Sequence, residues 1–166
     1  MPELKPLSRQ AIARALEKAE RYRLLNEPVE AESICLDVLV ADPGNQPALV
    51  TMLLALTDQF EENDIHVSTR VPEVLREIRD EYERAYYSGI VAERRAKAQL
   101  KRGGLGSGYS AHESFREAMR FYEKAENIRP SGNDDALLRW NTCARILERH
   151  TELTAPPVED SEPPLE

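Results

Sequence analysis

The residues best placed to do chemistry in this chain stand between positions 94 and 110. Four of the seven glycines fall in Gly103-Gly104-Leu105-Gly106-Ser107-Gly108-Tyr109-Ser110. Their spacing mirrors the phosphate-cradling signature G-x-x-x-x-G-K-[ST], with Tyr109 in the place of the lysine. A phosphate loop also needs a strand before it and a helix N-terminus aimed at the anion. Here the preceding residues, 92–102, carry a helical pattern instead, and Ser110-Ala111-His112-Glu113 reads as a capping box opening the next helix. The stretch is therefore expected to be an enlarged turn between two helices. Nucleotide or phosphate binding by the 103–110 loop is the alternative.

Ahead of that loop runs a basic series, Arg94, Arg95, Lys97, Lys101 and Arg102, with no acidic residue among them. Near a helix C-terminus each such cation contributes about 0.3–1 kcal/mol when exposed. The same series is also a basic patch able to attract an acidic segment, from a partner or from this chain's own C-terminal residues. Catalytic constellations are not found. His66, His112 and His150 are scattered, and no H-x-x-x-H, C-x-x-C or G-x-S-x-G occurs. Glu61-Glu62-Asn63-Asp64 lacks the glycine and the ligand spacing of a calcium loop. No metal, no cofactor and no enzymatic activity are expected. Cys35 and Cys143 sit in apolar surroundings at helical spacing and are read as small buried hydrophobes rather than a pair.

The totals bound the partners. With 166 residues the chain suits one domain, and 41% apolar with 31% charged residues suits a surface rich in helix. Half of the net charge of −8 comes from Glu159, Asp160, Glu162 and Glu166. The mildly acidic remainder lacks the positive field a nucleic-acid binder needs. No apolar run approaches the roughly 20 residues that span a bilayer. The first sixteen residues lack the apolar core and cleavage site of a signal peptide. A reducing, cytoplasmic location is the expectation.

These residues must be positioned by helices, because apolar residues recur at three- and four-residue steps almost throughout. The first helix follows Ser8 as N-cap and ends near Asn26. Pro28 opens a second, which stops at Asp42-Pro43-Gly44-Asn45, and a third runs from about Gln46 to Phe60. After a polar connector over 61–70, Pro72 is expected to open one long helix, through Gly89 to Leu100. Two more helices, about 111–128 and 134–150, flank the turn Pro130-Ser131-Gly132-Asn133. The expected organisation is a lead-in over 1–10, a helical domain over 11–152, and an acidic, proline-rich, disordered tail over 153–166.

Two segments share a spacing. Tyr22, Ala31 and Pro43 stand nine and then twelve residues apart, and so do Tyr109, Ala118 and Pro130. With Ala19, Tyr122, Ala125 and the stretch Phe-Tyr-Glu-Lys-Ala-Glu-Asn-Ile-Arg-Pro ending at Pro130, this resembles the tetratricopeptide repeat family. The resemblance covers about residues 12–147, is good in the first and third units and fails over 60–100. It implies an all-α, helix-turn-helix repeat solenoid of about six helices with one long central helix. It also implies a non-catalytic adaptor or chaperone that binds a partner peptide or helix, possibly acidic. The corresponding inner face is Leu16, Glu20 and Arg23 from the first helix with Val50, Leu54 and Thr57 from the third. Glu20 stands where a carboxylate-binding asparagine would be wanted, which speaks against capture of a C-terminal carboxylate. Leu16, Val50 and Leu54 are either groove or core, and a second copy of the chain is the other way to fill such a groove.

Overall fold

The computed structural model describes residues 1–62 and 65–153. Asn63, Asp64 and the acidic tail from 154 onward lie outside the described residues. All regular structure among the described residues is helical: α1 (Ile12–Leu24), α2 (Pro28–Ala41), α3 (Gln46–Thr57), α4 (Ile65–Glu77), α5 (Glu81–Arg102), α6 (Ser107–Asn127) and α7 (Asp135–Arg149). Short 3-10 turns precede α1 (Arg9–Ala11) and follow α3 (Phe60–Glu62). Each helix packs on the next in sequence, α1 also meets α3, and α3 meets α5.

Local chemistry sets two of the early boundaries where expected, while α1 begins at Ile12 after a 3-10 turn and Ser8 makes no side-chain cap. Pro28 occupies the first position of α2, where its missing N–H costs nothing. The Asn45 side chain caps α3 by accepting from the Ala48 N–H at 2.9 Å.

Three expectations are corrected further along. The 61–70 connector is mostly helix, since α4 begins at Ile65 and Pro72 lies inside it rather than at its start. The long central helix is two helices, giving seven rather than six. The chain leaves helix at 78–80, and Asp80 caps α5 by accepting from the Glu83 N–H at 2.8 Å. Side chains satisfy the backbone at that break. The Gln46 amide donates to the Glu77 carbonyl (3.2 Å) and accepts from the Arg79 N–H (2.9 Å), while Arg84 donates to the Ile78 carbonyl (2.8 Å). Finally, α6 starts at Ser107 with Gly106 as its N-cap at φ 76°, so Ser110 lies inside the helix and caps nothing.

Gly89 does sit within an unbroken helix, α5, and the reason is a close approach. A Cβ built there would lie 2.4 Å from Cε1 of Tyr122, which is fully buried on α6. The ring occupies the space a side chain would need. A helix-interior glycine costs about 1 kcal/mol, and here that cost lets α5 and α6 pack on one tyrosine.

Two apolar clusters result. One is built from α1 to α4 around Cys35, Leu49, Met52, Leu53 and Ile78, and the other from α5 to α7 around Phe115, Met119, Tyr122 and Cys143. Val91 of α5 belongs to the first cluster and Leu54 of α3 packs on the second, so these two helices stitch the halves together. Ala19, Ala31, Ala118 and Ala125 are all fully buried, in keeping with close helix approach at small residues.

Candidate partner-binding groove

Where α3 and α5 meet, the second half of α5 carries two adjacent residues with opposite tasks. Glu93 points inward and is fully buried. It accepts from Lys97 Nζ at 2.6 Å, from the Tyr122 hydroxyl at 2.7 Å and from Arg139 Nε at 3.1 Å, with Arg139 Nη2 on its other oxygen. Burial pushes the Glu93 carboxyl upward. The hydrogen bonds from Lys97 and Tyr122 and the Arg139 charge outweigh that and hold it below the usual value. Burial works against Arg139 too, yet the Glu93 charge raises it, so this pair is ionised. Burial, then the Glu93 charge, raise the Tyr122 hydroxyl, which stays a donor.

Arg94 points the other way, towards α3. Its Nη1 donates to Asp58 Oδ1 (2.6 Å), Thr57 Oγ1 (2.7 Å) and the Leu54 carbonyl (3.2 Å). Asp58 is shared, since Arg23 of α1 reaches its Oδ2 with Nε at 2.9 Å. Burial and the nearby Arg23 and Arg139 guanidiniums pull the Arg94 pKa down, and Asp58 opposes them.

Two cavities open beside Arg94, and it lines both. One of about 320 Å³ is bounded by Arg23, Leu24, Asn26, Thr57, Asp58, Phe60, Glu61, Lys97 and Ala98 as well. The other, about 280 Å³, adds Leu54, Tyr86, Tyr87, Ile90 and Arg139. The tyrosines form an aromatic wall: Tyr86 stacks on Tyr82 (5.9 Å between ring centroids) and meets Tyr87 edge-on (5.2 Å). Burial raises the pKa of both Tyr86 and Tyr87, keeping them neutral donors at physiological pH. The two cavities share Arg94 and draw their linings from α1, α3, α5 and α7; together they form the candidate groove.

The residues expected from sequence divide cleanly. Arg23, Leu54 and Thr57 line this groove. Leu16 is half-buried on α1 and lines neither cavity, Glu20 is exposed, and Val50 packs against the first apolar cluster as core. The basic series is largely paired within the chain: Arg94 with Asp58, Lys97 with Glu93, and Lys101 with Glu61 at 2.7 Å. Arg95 lies over the Phe60 ring, 6.0 Å from its centroid. Arg95 and Arg102 line a third, smaller cavity of about 210 Å³ floored by Phe60, Val67 and Val71. Sequence reasoning missed Asp58, Tyr86, Tyr87, Glu93 and Arg139 as members of the site.

The glycine loop stands apart from the groove. Between α5 and α6 it carries φ values of 64°, 98° and 76° at Gly103, Gly104 and Gly106, and Tyr109 is exposed on the first turns of α6. The histidines also stay apart, with His66 on α4 placed 3.0 Å from Glu32 of α2. Among the described residues no group of His, Cys, Asp or Glu is arranged to hold a metal ion, and no helix is long and apolar enough to cross a membrane. Comparison with protein-family models, with curated proteins and with solved structures finds no match for this chain.

Proposed function

We propose that this chain is a helical-repeat protein of the tetratricopeptide type that acts without catalysis, as an adaptor or chaperone. It binds a segment of a partner protein in the groove across α1, α3, α5 and α7. The observation that carries the reading is the pair of cavities that share Arg94 in their linings. Apolar walls of Leu54, Tyr86, Tyr87 and Ile90 give side chains somewhere to be buried, and the charged lining residues supply donors and acceptors for an extended backbone. Support for the repeat reading comes from the matched spacing of Ala31 and Ala118, both fully buried, with turns at Pro43 and Pro130. Two reduced, buried thiols in separate clusters fit a reducing compartment, and we place the protein in the cytoplasm.

Leu54→Asp tests the reading against its bland alternative, that Leu54 is only core. Leu54 is half-buried and lines the cavity, so a carboxylate there is expected to abolish capture of partners while leaving helical circular dichroism near the wild-type level. Val40→Asp is the control, since Val40 is 76% exposed on the far side of α2 from its buried stripe. Affinity capture with quantitative mass spectrometry compares the three forms. Loss of helicity in Leu54→Asp, or equal loss of partners in Val40→Asp, contradicts the assignment.

A further inference from the structure

The chemistry of the bound segment can be narrowed from the guanidiniums that line the groove. Resting on the groove reading above, we infer that the occupant is an extended segment of another protein in which an aliphatic or aromatic residue stands beside an aspartate or glutamate. The apolar side chain takes the cavity walled by Leu54, Tyr86, Tyr87 and Ile90, and the carboxylate meets Arg94 and Arg139, which line the same cavity.

Both guanidiniums have donors to offer. A guanidinium carries five N–H groups in a rigid fork. Among the described residues, Arg94 makes all three of its hydrogen bonds through Nη1, which leaves Nε and Nη2 without a protein partner. Arg139 uses Nε and Nη2 on Glu93 and leaves Nη1. The side chains are 29% and 33% exposed respectively. A carboxylate bound there sits partly out of water, where charge-assisted bonds are stronger than between fully exposed groups. A fully exposed pair would contribute little.

Charge points the same way. In the ion-paired network, four cations, Arg23, Arg94, Lys97 and Arg139, share two carboxylates, Asp58 and Glu93. Glu93 is fully buried with both oxygens occupied, so it cannot turn outward to answer a guanidinium in the groove. Further carboxylates, Asp135 and Glu83, act on the Tyr86 and Tyr87 hydroxyls, but neither bonds to these cations. The cavity walled by the tyrosines thus has two guanidiniums and no carboxylate in its lining, in a chain whose net charge is −8.

The test uses the full-length protein panned against a phage-displayed library of random twelve-residue peptides. The expected enrichment is of sequences with Asp or Glu adjacent to Leu, Ile, Phe or Tyr. The best of them, measured as a free peptide by calorimetry, is expected to lose about tenfold in affinity in Arg94→Gln, the equivalent of one charge-assisted bond. It should lose about as much when its own acidic residue is changed to the amide. In the wild-type protein its affinity should also fall several-fold as salt rises from about 50 mM to about 500 mM. That measurement holds whether or not Arg94→Gln folds.

Other outcomes overturn the inference in distinguishable ways. Enriched peptides without acidic residues, lost in Leu54→Asp but indifferent to Arg94→Gln and to salt, refute the carboxylate partner and leave the groove reading standing. No enrichment, or peptides indifferent to both substitutions, refutes the groove reading and the inference with it. Displacement of the selected peptide by a synthetic copy of residues 154–166 makes the chain's own segment the occupant. Self-association by light scattering that is lost in Arg94→Gln makes it a second copy. Either result refutes binding to another protein.

Discussion

Gly89→Ala sets two effects of known sign against each other. Alanine is better than glycine in a helix interior by about 1 kcal/mol, and Gly89 lies in the middle of α5. On propensity alone the substitution stabilises. Packing says the reverse, because the new Cβ would lie 2.4, 2.6 and 3.0 Å from Cε1, Cδ1 and Cζ of Tyr122. Comfortable carbon contacts are about 3.5–4.0 Å, so either the ring or a whole helix must shift by roughly an ångström. The ring cannot swing away cheaply. Tyr122 is fully buried, and its hydroxyl is fixed to Glu93, which is itself held by Lys97 and Arg139. Overpacking of this kind costs typically 1–3 kcal/mol. Any loosening of the hydroxyl bond to a charged acceptor adds part of about 1.5–3 kcal/mol.

Subtracting the propensity gain leaves a net loss of about 2 kcal/mol, roughly 4–8 °C in Tm for a chain of this length. Urea denaturation followed by helical circular dichroism measures it. The decisive comparison is the same substitution in a Tyr122→Leu background, where the ring is gone. There Gly89→Ala is expected to turn neutral or favourable, a reversal of sign that helix propensity cannot produce. A Tm that rises in Gly89→Ala with Tyr122 intact refutes the close approach and the packing of α5 on α6 built from it.

Two further predictions concern buried groups. Glu93→Gln at neutral pH breaks a buried ionic cluster and is expected to cost about 3–5 kcal/mol. The folded Glu93 pKa lies below its ordinary 4.5, so the stabilisation is fully present above that value and is lost as pH falls through the folded pKa. The gap between wild type and Glu93→Gln in urea melts should hold steady above the ordinary carboxylate range and narrow as pH falls through the lowered folded pKa; a gap that does not narrow at all in acid shows that charge is not its origin. Cys35 and Cys143 are fully buried, and burial pushes both thiols up to about 12. A thiol reagent at pH 8 is expected to modify neither in the folded protein and both in urea, and stoichiometric labelling of the native chain contradicts their burial.

Period and turn chemistry made the all-helical class and the first three helices readable from sequence. Pro28 and Asn45 act locally, and their signals need no partner. The break at 78–80 was not readable, because Val74, Ile78, Tyr82 and Ala85 stay in helical phase across it. What ends the helix is distant: Gln46 lies more than thirty residues upstream and satisfies the freed backbone with its amide. Glu93 shows the same limit more sharply. It stands one residue before a basic series on an amphipathic helix, where a glutamate ordinarily faces water. Its burial follows from Tyr122, 29 residues on, and Arg139, 46 residues on, and no periodicity encodes either contact. Arg23, Leu54 and Thr57 were found because α1 and α3 are short and regular, even though α1 starts at Ile12 and α3 ends at Thr57 rather than Phe60. The opposite wall, on α5 and α7, was missed even though α7 was bounded correctly, because only the folded chain brings Tyr86, Tyr87 and Arg139 into one lining with Leu54.

That opposite wall changes what the basic series means. Read along the chain, Arg94 to Arg102 is a run of positive charge at a helix end. Folded, its members are distributed among separate tasks. Arg94 and Lys97 belong to the groove, Lys101 to a surface pair with Glu61, and Arg95 and Arg102 to another cavity. Glu93 and Arg94 then divide the work between them through adjacent positions. Glu93 ties α5 to α6 and α7 through Tyr122 and Arg139, and Arg94 ties α5 to α3 through Thr57 and the Leu54 carbonyl. Because Glu93 holds Arg139, which lines the cavity with Leu54 and the tyrosines, the buried cluster sets the geometry of that wall. The residues that hold the two apolar halves together are thus the ones that aim the groove's charges, and under the proposed binding role a substitution at Glu93 is expected to act on recognition through Arg139 as well as on stability.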